Sequence, residues 1–513
     1  MQDRIGKESR LMADYDVIVI GAGLGGLSSG ALLAHRGLKV LVLEQSGRIG
    51  GCCSTFERDG YRHDVGASIV EITQPIELVF KALGTSFGEE VDLIPCDPIF
   101  SVMYRNGERI TVEKSIEATG KLIASLDPAD GRRWFDFCDY CSDMMDVLLD
   151  SILVEPADTL GDMARVVKKN PALLRYLPNF MSTYQDLIQK YFKSDQVQRT
   201  MAYQSLYMGM PPALCPGPFA MIPYSEHRGI WYPRGGMIRI PEALVRCGQK
   251  DGMELRLNTP VTSVIVRNGR AKGVVLEDGR EISSRMVVSN VNPRMLYLDL
   301  IGEQHLPWLT RTGVKSLKYG KSLCMVYVGV DCKPPLDAHH SYIAVSMQEV
   351  NDFWAKHVET GVMLPANANY GLVCWPSHSD DSLAPEGHHV LNVIPESFYH
   401  LKGTNWDAFK DRFIDEYIDY LSEKLVPDLK GHITHAIGSS PVDFERHLRL
   451  PEGSIYCFHQ DASHQAVFRP SSKSKCIDGL YLTGSGTHPG GGVPTTMSSG
   501  YIAYSQILKH ERC

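Results

Sequence analysis

Between Asp14 and Gln45 the chain reads DYDVIVIGAGLGGLSSGALLAHRGLKVLVLEQ. Tyr15 to Ile20 is an almost unbroken apolar run, which predicts a strand covered on both faces. Gly25 to His35 has helical spacing, and Lys39 to Leu43 predicts a second, parallel strand. The link Gly21-Ala22-Gly23 must then be tight and nearly free of side chains, which glycine allows. A strand entering a helix across such a turn aims backbone N–H groups and the positive helix end at one point, and that point attracts phosphate. Gly21 permits the turn, Gly23 lets a pyrophosphate approach the main chain, and Gly26 lets the helix lie close on the strand. Glu44, 18 residues past Gly26, ends the second strand, where a carboxylate accepts both hydroxyls of an adenosine ribose and repels a 2′-phosphate.

Further on, SGRIGGCCST carries Arg48 and a second glycine pair, Gly50-Gly51, and YRHDVGAS (Tyr61 to Ser68) reads as a polar loop returning Asp64 and Gly66 towards the first turn. From Gln74 to Arg228 the spacing is mostly helical, and proline-rich MPPALCPGPF (Met210 to Phe219) is a loop. Gly235-Gly236 precede a helix expected near Ile240. Asn268-Gly269 and Asp278-Gly279 then mark hairpin turns in a meander of three antiparallel strands, followed by a buried strand, Met286 to Ser289. Val264 or a neighbour on this meander is expected to meet the adenine edge through backbone groups. A second excursion holds strands at Ser322 to Val330 and Val390 to Ile394 and a charged helix, Trp406 to Leu425. The chain closes with a strand at Leu480 to Thr483, a turn at Gly484 and Gly486, and a helix after Gly490-Gly491-Gly492.

At 513 residues two domains are expected. With 43% hydrophobic and 22% charged residues the composition is that of a folded protein, and a net charge of −8 without a basic run speaks against a nucleic-acid partner. The thirteen cysteines show no metal-ligand spacing, so no metal site is predicted. No secretory leader is read before the first strand, and reduced thiols in a cytosolic setting are expected, with the adjacent Cys52-Cys53 read first as packing residues. No stretch has the length to span a bilayer. The Met144 to Phe192 region, with its Lys168-Lys169 patch, reads first as helices covering a cavity and leaves a peripheral membrane contact open.

A glycine-rich helix start at the far end of the chain is not needed by a nicotinamide enzyme. It suits a longer flavin dinucleotide, whose reduced ring a helix dipole can stabilise, so FAD is expected over NAD. The segments VIVIGAGLGGLSSGALLAHRGLKVLVLEQSGRIGG, GIWYPRGGMIRIPEAL, VVSNVNP and AVFRPSSKSKCIDGLYLTGSGTHPGGGVP together resemble the phytoene desaturase family of FAD enzymes, which includes carotenoid desaturases, carotenoid isomerases and retinol saturases. The resemblance runs in order along nearly the whole chain and is looser over Glu77 to Met221 and Leu296 to His459.

It implies an α/β, flavin amine oxidase-like two-domain fold with a Rossmann-type FAD-binding domain (14–75, 231–295 and 470–513) and a mixed α+β substrate domain. The substrate domain comprises 76–230, mainly helical, and 296–469, and encloses an apolar tunnel. It also implies that Gly21, Gly23, Gly26, Glu44, Arg48, Gly51, Val264, Gly484 and Gly486 contact a noncovalent FAD, with Gly25, Gln45, Gly50, Gly492 and Val493 in the same turns. Cys52-Cys53 depart from the residues common in such relatives. The activity implied is desaturation or oxidation of a long polyene or isoprenoid-like chain by hydride transfer to flavin N5. Candidates for a base or for cation stabilisation are Glu226, His227, Asp461, His464 and His488. Two other readings stand beside it: a redox-neutral isomerase, cyclase or saturase, and a non-enzymatic lipid-binding module like the Rab escort and GDP-dissociation-inhibitor proteins.

Overall fold

In the computed structural model of the chain, which describes residues 13–511, the run Tyr15–Ile20 is the middle strand of a parallel sheet. In order across that sheet lie Glu254–Arg256, Val40–Leu43, Tyr15–Ile20, Glu281–Ser289 and Leu480–Leu482. Val17 pairs with Val40 on one side and Met286 on the other. The continuous apolar pattern follows from two covered faces. Val17, Val19, Val40 and Val42 pack beneath Leu27, Ala31, Leu244 and Met497 of the helices Leu24–His35, Arg239–Lys250 and Val493–His510. Ile18, Ile20, Leu41 and Leu43 pack with Val264, Val274 and Leu296 on the opposite face.

The meander is present as Val261–Arg267 and Arg270–Leu276, but its expected third strand and the buried strand are one nine-residue element, Glu281–Ser289. Its first part pairs antiparallel with Arg270–Leu276 and its last part parallel with Tyr15–Ile20. A strand shared between two sheets needs no break, so no turn signal marks the changeover.

The second sheet runs in the order Ile433–Ser439, Met325–Val330, His389–Pro395, Gly371–Cys374, His340–Ala344, Phe100–Tyr104, Arg109–Val112. Two of these strands come from the stretch read as mainly helical, and Phe100–Tyr104 pairs parallel with His340–Ala344. All five residues of FSVMY are buried, which removes the alternation that would have marked a strand. The helices of the same stretch gather around Pro128–Leu149, whose Trp134, Phe137, Cys141 and Met144 form a separate core. Tyr61–Asp64, read as a polar loop, is a strand paired with Thr55–Arg58. Asp64 is buried there and accepts from Thr55 Oγ1 (2.6 Å), Tyr232 OH (2.6 Å) and Met237 N (2.9 Å), which ties three distant segments together. Burial pushes its carboxyl up to about 6, against these hydrogen bonds.

The dinucleotide helix sits closer to its neighbours than side chains would allow. A Cβ on Gly26 would lie 2.2 Å from the carbonyl oxygen of Gly21, and a Cβ on Gly500 of the closing helix 2.6 Å from the carbonyl of Gly25. Gly26→Ala gains about 1 kcal/mol of helix propensity but meets main chain that no rotamer change relieves, an overpacking loss of about 1–3 kcal/mol or more. Because the clash is with main chain, the upper end of that loss applies, and a net destabilisation of about 2 kcal/mol is expected. Denaturant unfolding of the cofactor-free protein measures it, and an unchanged midpoint would refute the close packing.

Candidate active site

Three segments from distant parts of the sequence meet at Asn290. Its main-chain N–H donates to Ile20 O (2.8 Å), and its side-chain Oδ1 accepts from Gly26 N (3.2 Å). A Cβ on Gly23 would lie 2.4 Å from Asn290 Nδ2, one on Gly484 2.6 Å from Oδ1, and one on Gly25 2.7 Å from both Gly484 N and Thr483 Oγ1. The N-terminal turn, the end of the shared strand and the C-terminal turn therefore close on one another because glycine occupies the facing positions. Ser499 Oγ, from the closing helix, accepts from Gly484 N (2.8 Å) and locks the last turn. Sequence reasoning missed Asn290, which there was only part of the VVSNVNP segment.

These segments open onto a cavity of about 1240 Å³. Gly21, Gly23, Glu44, Gln45, Gly50, Gly51, Gly492 and Val493 line it, as do Asn290, Ser485, Thr495 and Thr496. Glu44 ends the second strand with Oε2 accepting from Ala22 N (2.8 Å) and Oε1 from Ser46 N (2.9 Å), a posture that leaves lone pairs for further donors. Gly25, Gly26, Gly484 and Gly486 do not line the cavity; they permit the close packing around it, Gly486 against Pro293 and Cys457.

Two expectations shift. Arg48 is exposed and lies over Phe56 at 6.0 Å, away from the cavity. Val264 is buried in the core beneath the sheet, and Val261 with Thr262 takes the expected place on the cavity wall. The strand Val261–Arg267 carries register irregularities on both sides of Ser263 and Val264, so facing positions there cannot be counted by twos. Cys52 and Cys53 both line the cavity, and burial holds both thiols protonated, Cys52 pushed up to about 12 and Cys53 well above its usual value.

Of the candidate bases, His488 lines the cavity, but its Nε2 is committed to Ile152 O at 2.6 Å. Asp461 and His464 pair with each other (2.8 Å) in a turn off the cavity wall, where Asp461 also accepts from Ser463 N (2.9 Å). Burial would raise the Asp461 carboxyl, yet hydrogen bonds from His459, His464 and Ser463 outweigh it and hold it far below the usual range. Glu226 is wholly buried one layer behind the wall, with Oε2 accepting from Gln204 Nε2 (3.2 Å). His227 Nδ1 donates to the carbonyl oxygen of Lys114 (3.0 Å), away from the cavity.

The wall itself presents Glu71, Tyr207, Tyr342 and a buried ion pair, Lys321 Nζ to Glu396 Oε1 at 2.5 Å. Glu396 Oε2 is buried and has no partner among the described residues. None of these was singled out in the sequence, since each owes its place to packing between sheets rather than to a local motif.

Burial lowers His488 from 6.5 to about 4, so its imidazole is neutral when folded. The unfolded chain takes up a proton as pH falls through 6.5 and the folded chain only near 4, so this group's contribution to stability is present above pH 6.5 and lost towards pH 4. The loss amounts to about 3 kcal/mol across that window. His488→Gln is expected to flatten the stability slope between pH 6.5 and 4 by that amount in denaturant titrations, and an identical slope would contradict it.

A family model described as flavin containing amine oxidoreductase matches residues 24–508. A phytoene desaturase from Fusarium fujikuroi is 30% identical over 530 residues, covering 96% of this chain and 89% of the relative. A zeta-carotene-forming phytoene desaturase from Myxococcus xanthus is 26% identical over 502 residues, covering 96% and 93%. Among solved structures, an oxidoreductase from Methanosarcina mazei matches with a TM-score of 0.62 at 17% identity, over 96% of this chain and 99% of that one, which speaks for the fold. With the glycine cradle fitting a dinucleotide and the match spanning both of its halves, the chain belongs to the flavin-containing amine oxidoreductases and is an FAD-dependent enzyme of their two-domain α/β fold.

Proposed function

We propose that the enzyme desaturates or oxidises a long apolar polyene or isoprenoid-like chain. The observation that carries this reading is the continuity of the cavity: it starts at the glycine cradle and runs to Leu177, Phe180, Met181 and Phe468, an apolar passage beyond what a nucleotide needs. In the same reading the FAD-binding domain is 14–75, 231–295 and 470–513, and the remainder shapes the passage. Glu44 would hold the ribose, Gly21 and Gly23 the pyrophosphate, and Gly492, Thr495 and Thr496 the pyrimidine edge of the ring. The positive end of helix Val493–His510 favours negative charge there. FAD, when bound, supplies a two-electron acceptor for hydride.

Loss of a hydride from carbon leaves a proton to be taken from the neighbouring position. Glu396 Oε2, on the wall and without a partner among the described residues, would receive it, while Lys321 on Oε1 fixes the carboxylate. An escort-type binding module would not require the intact cradle at both ends of the chain, and nothing in the cavity favours a redox-neutral reaction.

The mouth of the passage supports a peripheral membrane contact. Leu160, Leu177, Met181 and Phe468 line the cavity and are between 41% and 90% exposed, and exposed Lys168 and Lys169 end the helix that Leu160 begins. No helix among the described residues is long and apolar enough to cross a membrane. An apolar rim around a tunnel mouth would let a lipid-dissolved substrate enter without crossing water.

Anaerobic mixing of the FAD-loaded enzyme with an acyclic isoprenoid polyene is expected to bleach the flavin in a single turnover. Glu396→Gln keeps the bond to Lys321 and should slow that bleaching about 100-fold; no bleaching by any such polyene in the wild type would refute the assignment, and an unaltered rate in the variant would remove Glu396 from it. Met181→Asp combined with Phe468→Asp should abolish co-sedimentation with anionic phospholipid vesicles, and full retention would refute the membrane contact.

A further inference from the structure

Behind the closing turn of the cradle lies a buried cation with no ion-pair partner. Arg469 is 3% exposed. Its Nη1 donates to Ser485 O (2.7 Å), and its Nη2 to His459 O (3.2 Å) and Gln460 Oε1 (2.8 Å). All three acceptors are neutral, and Arg469 Nε is buried without a partner among the described residues. Asp461, the nearby acid, faces His459 and His464 instead. Cys457 beside it is a protonated thiol, pushed up to about 12 by burial. Burial lowers the guanidinium to about 10, which leaves it cationic at neutral pH. Taking a charge out of water is costly unless an opposite charge meets it, so a lone buried guanidinium needs a reason.

The turn in front of this charge fixes its place relative to the cavity. Ser485, His488, Gly491 and Gly492 line the cavity. A Cβ on Gly490 would lie 2.7 Å from Gln460 Oε1 and 3.4 Å from Arg469 Nη2, and one on Gly491 2.8 Å from Gln460 Nε2. One thickness of main chain therefore separates the guanidinium from the part of the cavity where helix Val493–His510 begins. Its field reaches that wall: burial and, to a lesser extent, this charge hold His488 neutral. The other cations on the cavity do not duplicate it. Lys321 is neutralised by Glu396, and Arg449 is exposed, where water and salt screen it.

A hydride carries two electrons and one proton. When a substrate C–H bond breaks and an N–H bond forms at flavin N5, the ring therefore gains one negative charge, and the substrate carbon bears one positive charge until its neighbouring proton leaves. We propose that Arg469 is the fixed counter-charge for the reduced ring: acting through the main chain of Ser485 and Gly490-Gly491, without touching the ring, it stabilises that negative charge and raises the reduction potential of the bound FAD. The inference rests on the ring lying against the closing turn. A charge held in a buried site acts over such a distance because little water intervenes, and it costs no reorganisation when the ring is reduced.

The test measures the two-electron potential of the FAD-loaded protein by equilibration with reference dyes, for the wild type, Arg469→Gln and Arg469→Lys, with FAD content and Tm read alongside. Arg469→Gln keeps a hydrogen-bonding side chain and loses the charge; Arg469→Lys keeps the charge and loses the forked geometry. Arg469→Gln should shift the equilibrium about tenfold towards the oxidised ring, a fall of about 30 mV, while Arg469→Lys keeps most of the wild-type potential. An unchanged potential in Arg469→Gln would overturn the inference. So would an equal fall in both variants, the mark of a purely structural role. Should Arg469→Gln fail to retain FAD, the wild type decides: the pH at which its potential changes from a slope of about 59 mV per pH unit, two protons per two electrons, to about 30 mV, one proton, should lie below that of free FAD. A change at the same or a higher pH would overturn the inference. Failure of the wild type to bind FAD at all would overturn instead the cofactor site on which it rests.

Discussion

The architecture depends on one steric condition: the main chain must come within side-chain distance of itself where the N-terminal turn, the end of the shared strand and the C-terminal turn meet. Asn290 bridges the gap. Its main chain continues the sheet through Ile20, and its side chain reaches the first turn of the dinucleotide helix at Gly26. Gly23, Gly25 and Gly484 surround it at separations no Cβ would tolerate. From that closure follow the alignment of the two helix starts, the continuity of the cavity between them, and the position of the closing helix over the first.

The second sheet and the helices around Pro128–Leu149 then act as the walls of a passage that the cradle alone could not form. Polar and apolar demands are separated along its length. At one end main-chain N–H groups and Glu44 face the cavity; at the other, exposed leucine, methionine and phenylalanine side chains frame the opening. Between them lie the few charged groups that burial permits only in pairs or in neutral form: Lys321 with Glu396, and Glu71 beside Glu226.

Legibility in the sequence followed locality. Gly21, Gly23, Gly26 and Glu44 belong to one short strand–turn–helix–strand unit, and their spacing alone encodes the geometry. The closing strand, turn and helix were readable for the same reason. Val264 was named with its neighbours, and of these Val261 and Thr262 line the cavity, in a strand whose register irregularities no residue pattern marks. Phe100–Tyr104 went unread because a strand buried on every side has no pattern. Glu396, Tyr342 and Glu71 could not be chosen at all: Tyr342 and Glu71 are 271 positions apart and meet only through packing of the second sheet on the segment that follows Asp64. Asp461 and His464 show the converse. They look like a catalytic pair in the sequence, and the structure uses them to cap a turn.

Amide hydrogen exchange, compared between the cofactor-free and FAD-loaded protein, tests the closure most directly, because it reports local opening segment by segment. If the three segments form one cradle, loading should slow exchange together at residues 21–26, around Asn290, and at 484–496. Protection confined to the first turn, with the other two segments unaffected, would contradict the account.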